Sequence, residues 1–270
     1  MRLLLSMLFT GWLLQAVQGQ EFFTYTEPAS NMPAKNIGIR LTSTIMYDPV
    51  DQSSNTHLLP ELMVGVSKNW MMHIEGFFSS RSGQSRYEGM GFYGKWRFFS
   101  EDDIHTHVRA AMFTRLAWNK SDLHQEAIDL NGHNTGAEAG LILTKLLHKV
   151  ALSGSASYVR AADNGSGNKW TRDGREKSAM NFTASIGKLF LPTVYTGYRQ
   201  TNLNGMVEFM GQTNLHTGKT FVDVAPVVQF VFLSTMRLDV SYRFTVSNQL
   251  NRTTPAGWLI RFDYNWFNAW

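Results

Sequence analysis

The chain has 270 residues, no cysteine, 13% aromatic residues and a formal net charge of +4. Without cysteine it cannot lean on disulfides, and its charges stand singly rather than in clusters, which excludes a nucleic-acid partner. A mean hydropathy of −0.21, with no long apolar run beyond the N-terminus, excludes a helical membrane protein but not a membrane barrel, whose strands are polar on one face.

The first 19 residues read as a signal peptide. Met1 and Arg2 give a positive start, residues 3–17 are apolar, and Val17-Gln18-Gly19 places small residues where cleavage occurs. Cleavage after Gly19 and a mature start at Gln20 are expected. The run is short for a spanning helix, and Gln15 and Gln18 interrupt its end. Residues 20–35, polar and carrying Pro28 and Pro33, read as a periplasmic lead-in.

Residues 36–270 then read as the barrel. Segments with period-2 alternation recur at 36–47, 61–66, 70–80, 89–98, 105–118, 136–144, 150–159, 178–189, 204–211, 221–232, from 236 onward and at 258–270. In the eleventh, Met236, Leu238, Val240, Tyr242 and Phe244 alternate with Arg237, Asp239, Ser241 and Arg243. The tail alternates Trp258, Ile260, Phe262, Tyr264, Trp266 and Trp270 with charged and polar residues, broken by Asn268. Long polar loops are expected at 48–59, 81–88, 119–135, 161–177 and 247–256, with short turns after the second, fourth, sixth and tenth segments. Pro192 marks a turn, and Pro226 marks a bulge or kink inside the tenth strand.

These features predict an all-β, transmembrane, antiparallel up-and-down β-barrel of about twelve strands in the outer membrane of a Gram-negative bacterium. An even count returns both termini to the periplasm, leaving the long loops outside. The expected surroundings are outer-membrane lipid and lipopolysaccharide, the barrel-insertion machinery, a small-molecule solute and a protein partner if the barrel belongs to a surface complex.

The face expected to line the lumen carries Arg40, Glu61, Glu75, Lys95, Arg97, Arg109, Arg115, Glu138, Glu208, Asp223, Arg237, Asp239, Arg243, Arg261 and Asp263. Such charges select solutes in an open pore or pair to close a narrow one. Basic residues modestly outnumber acidic ones, which leans toward anions. Trp70, Trp96, Trp118, Trp258, Trp266 and Trp270 fall near segment ends, as interface girdles require. His105 and His107 share a face at metal-ligand spacing, and His73 and Glu75 do the same; a polar rim and a pore-lining pair are the expected roles. No cofactor and no catalytic residue are expected. No histidine is followed two places later by serine, so the nucleophile pair of the outer-membrane phospholipases is missing.

Three stretches carry a family resemblance: Pro60-Glu61-Leu62 leading to Gly65 and Ser67, Gln200 to Asn204 with Glu208, and Arg237 to Tyr242. With them the chain resembles Gram-negative outer-membrane barrels of the phenol-degradation meta-pathway transporter type, and related barrels of Bacteroidetes-like organisms. The resemblance implies passive passage of small molecules and brings no catalytic residue. The alternative expectation is a non-conducting barrel acting as a structural or partner-binding subunit.

Overall fold

A computed structural model describes residues 23–48, 53–81, 83–103, 106–123, 125–165, 177–194, 197, 199–252 and 255–270. The signal-peptide reading and His105 lie outside the described residues. Twelve strands form one closed sheet: β1 (Asn36–Asp48), β2 (Ser53–Gly65), β3 (Trp70–Ser79), β4 (Arg86–Asp102), β5 (Thr106–Asn119), β6 (Thr135–Leu147), β7 (Val150–Ala162), β8 (Ser178–Leu191), β9 (Asn202–Asn214), β10 (Thr220–Phe232), β11 (Met236–Asn248) and β12 (Gly257–Trp266). Each strand pairs antiparallel with its chain neighbours, and β1 pairs with β12 to close the barrel. Closure leaves no unpaired edge, which is what a sheet needs inside hydrocarbon.

Alternation divides every strand into two faces. Outward positions include Ile74, Leu116, Leu141 and Leu143, at 55%, 55%, 56% and 58% exposure. Inward positions include Lys95, Glu208, Asp223 and Asp239, all buried. In water this arrangement would expose apolar surface and bury charge; in a bilayer it is the favourable one. The core is therefore the lumen.

The end holding Asn36 and Trp266 is called the near end, and the opposite end the far end. Near-end turns are mostly tight. Leu233 and Ser234 both take positive φ (52° and 57°) between β10 and β11, matching the twist of a two-residue hairpin. The link over 192–201 between β8 and β9 is the long near-end exception. At the far end, 215–219 is a short turn, so the loop asymmetry is weaker than the sequence suggests.

Three expectations need correction. The loop expected at 48–59 is mostly strand: β2 begins at Ser53, with Pro60 in its interior. The β2–β3 ladder skips Leu59 and Pro60, then resumes in the same register, so the missing N–H falls in a gap. Pro226 is accommodated in the same way. The β10–β11 ladder skips Ala225 and Pro226 without shifting, and Ser241 donates its hydroxyl to the Pro226 carbonyl at 2.8 Å. The bulge of β10 lies earlier, between Val222 and Asp223. Finally, β12 stops at Trp266. Asn268 adopts φ 52°, a conformation Asn tolerates, and the Ala269 amide turns back to bond the Lys35 carbonyl at 2.8 Å.

Candidate functional site

Residues 23–34 do not trail away from the barrel; they run inside its near half. Glu208, mid-height on β9, accepts the backbone amides of Thr24, Tyr25 and Thr26 at 2.7, 2.9 and 2.6 Å. Thr24 also donates its hydroxyl to Asp239 at 3.0 Å. Lys95 donates to the Pro28 carbonyl at 2.8 Å, and the Ala29 amide bonds Thr144 at 2.8 Å. Apolar contacts complete the fit. Phe23 packs with Ala151, Met206 and Val227, Ala29 with Tyr93 and Phe113, and Met32 with Met63 and Met71. Burial holds the Tyr25 phenol above its ordinary range.

The loop over 120–134 folds inward at the far end. Ile128 and Leu130 pack against Leu59, Phe77, Ala117 and Val159. Gln212 holds the Ile128 backbone from both sides, accepting its amide and donating to its carbonyl, each at 2.8 Å. Glu126 accepts the Asn251 amide at 2.9 Å, which ties this loop to the next. From that second loop Arg252 reaches Asp223 at 2.5 and 2.8 Å, its guanidinium 3.9 Å above the Phe221 ring.

A cavity of about 280 Å³ lies between these two seals. Of the residues expected to line the lumen, Arg40, Glu61, Glu75, Arg115, Glu138, Arg243 and Arg261 line it. One wall is acidic. Glu138 accepts Ser157 and Asn181 at 2.6 and 2.8 Å and pairs with Arg115 at 3.5 Å. The other wall is basic. Arg243 lies 3.8 Å from Asp223, while Arg261, opposite Asp239 in the ladder, bonds the Thr42 hydroxyl at 3.1 Å and makes no direct ion pair among the described residues.

The other expected lumen residues lie elsewhere. Asp263, Arg237 and Asp239 form a buried chain that starts from the cavity-lining Arg40, with contacts of 3.0 Å (Arg40–Asp263), 2.5 Å (Arg237–Asp263) and 3.4 Å (Arg237–Asp239). Lys95 belongs to the near seal. Arg97 and Arg109 sit at the near rim, where Arg97 bonds the Lys68 carbonyl at 2.7 Å and Arg109 bonds Asp102 at 2.8 Å. His107 also reaches Asp102, at 2.8 Å. The tryptophans face outward in two groups. Trp70, Trp96, Trp266 and Trp270 are at the near end, with Trp70 and Trp96 stacked at 5.9 Å; Trp118 and Trp258 are at the far end.

Sequence reasoning missed both seals. The signals were there: Phe23 and Tyr25 are wasted in a solvated lead-in, and Ala127, Ile128 and Leu130 are too apolar for a free loop. Together the faces, girdles and lumen define a transmembrane β-barrel with a small, charged, two-sealed chamber.

No protein-family model and no curated protein matches the chain. Among solved structures it is similar to an outer membrane channel from Pseudomonas putida F1, with TM-score 0.55 at 9% identity, covering 88% of this chain and 97% of that one. It is also similar to the NanC porin, with TM-score 0.48 at 11% identity over 86% of this chain and 98% of that one. OccAB4 of Acinetobacter baumannii matches at TM-score 0.39 and 9% identity over 83% of this chain, which spans 56% of that longer barrel. At such identities likeness speaks to architecture alone, and of the three only the Pseudomonas channel is alike enough to carry that.

Proposed function

We propose that the chain is a passive channel for small solutes in the outer membrane of a Gram-negative bacterium, with both termini in the periplasm. The carrying observation is the charged chamber of about 280 Å³ on the barrel axis. It falls just below the ~300–1,000 Å³ typical of ligand sites, which favours small solutes. Arg261 and Arg243, which line the chamber, favour an anionic group on the solute. The resemblance to meta-pathway barrels and the channel-like architecture support the same reading. On this reading the outer wall meets lipid and lipopolysaccharide, and the barrel reaches the membrane through the insertion machinery.

The test is solute flux into liposomes carrying the purified full chain, using small anionic, neutral and cationic solutes. Selective entry of small solutes, anions fastest, is the expected result. Liposomes that stay tight to every solute would favour a non-conducting, partner-binding barrel instead, a reading to which the two seals already lend weight.

A further inference from the structure

Glu61 on β2 and Glu75 on β3 are direct partners across the ladder, and both point inward. His73 stands two residues before Glu75 and so shares its face. One potential ligand atom from each of the three lies within 4.8 Å of the others. Like charges directly opposite each other destabilise a sheet unless a cation intervenes. The nearby cations are shared: Arg40 contacts Glu61 at 3.4 Å but also Asp263 at 3.0 Å, Nδ1 of His73 lies 3.3 Å from Glu61, and Arg115, near Glu75, pairs with Glu138 at 3.5 Å.

A second observation concerns satisfaction. Oε2 of Glu75 and Nε2 of His73 are buried without a hydrogen-bond partner, in side chains that are 4% and 2% exposed. Buried polar atoms are nearly always paired, so two orphans in one cluster call for a ligand.

We propose that Glu61, His73 and Glu75 form a binding site for one divalent transition-metal ion of the Zn²⁺ class. Two carboxylate oxygens and one imidazole nitrogen, with no thiolate, suit a hard-to-borderline dication and disfavour Cu(I). The ion adds positive charge between the facing carboxylates and engages the orphaned lone pairs. Arg40 on Glu61, and the Tyr93 ring 5.0 Å from the His73 ring, orient two of the ligands from behind. Three protein ligands leave a coordination position open. Because Glu61 and Glu75 line the chamber, that position faces the solute cavity and takes water or a carboxylate on the solute. The site stands on its own geometry and would remain in a barrel that does not conduct.

The full chain in detergent, stripped with chelator, is titrated with Zn²⁺ by calorimetry and with Co²⁺ by visible absorbance. One ion per chain is expected. Affinity should fall at least tenfold in Glu75→Gln and in His73→Gln, and stay unchanged in Asp102→Asn, which disables the rival acid–histidine pair at the rim. Heat-dependent gel migration checks that each variant is folded. If a variant does not fold, the wild-type Co²⁺ spectrum decides, since a barrel-bound ion gives a saturable band at one equivalent. No saturable binding by the folded wild type, or full affinity in both chamber variants, overturns the site.

Discussion

The two seals of the lumen are built differently. The near seal is a bare strip of chain: no backbone–backbone hydrogen bond joins residues 24–34 to one another or to a strand among the described residues. Its backbone donors converge on side chains, three of them on the single carboxylate of Glu208. The far seal is braced within itself. Asn134 and Asp129 exchange backbone and side-chain bonds at 2.9 and 2.7 Å, and Asn119 bonds the Gly132 carbonyl at 2.7 Å. Gly132 takes φ 109°, which the turn of the loop requires. A self-braced loop behaves as part of the wall. The near strip instead hangs on side-chain bonds from the wall, three of them to one carboxylate, so a single substitution at Glu208 should weaken it most.

Substitutions can sharpen or break that contrast. Glu208→Ala should have the largest effect. It removes three charge-assisted bonds and leaves three buried amides unsatisfied, loosening residues 23–34 by roughly 3–6 kcal/mol. Hydrogen exchange should show these amides losing protection while the strands keep theirs; equal loss throughout would mean the segment is integral to the fold. Ile128→Ala should cost about 2–5 kcal/mol through the cavity it leaves in the far cluster. It should lower the melting temperature of the whole barrel, not expose one peptide. Lys95→Met should loosen the near strip by about 1–3 kcal/mol by losing its bond to Pro28. Proteolysis at the strip, faster than wild type but slower than in Glu208→Ala, checks it. Lys219→Ala breaks the exposed pair with Glu126 and should change stability by no more than ~1 kcal/mol, read by thermal melting.

The wall was legible in the sequence because a membrane strand is written locally. Each outward Leu or Phe between inward polar residues reports its own face, so twelve segments emerged without knowledge of their partners. Strand ends were less legible where a proline stood inside a ladder: the second segment was read only from 61 onward, whereas β2 starts at Ser53 and runs through Pro60, which the β2–β3 ladder skips. The seals were illegible for a different reason. Glu208 reads as one more inward charge, and the three amides it holds lie more than 180 residues away in the chain. The chamber residues Arg40, Glu61, Glu75 and Arg261 were found by parity alone. Their neighbours Tyr25, Ile128 and Arg252 come from segments with no period to read.

Single-channel conductance in planar bilayers, wild type against Glu208→Ala, tests the central claim most directly. A small or intermittent conductance in the wild type, replaced by a larger and steadier one in Glu208→Ala, is the predicted result. Identical traces from the two proteins, or a folded Glu208→Ala barrel that passes no current, would contradict the proposed solute path through the near half of the barrel.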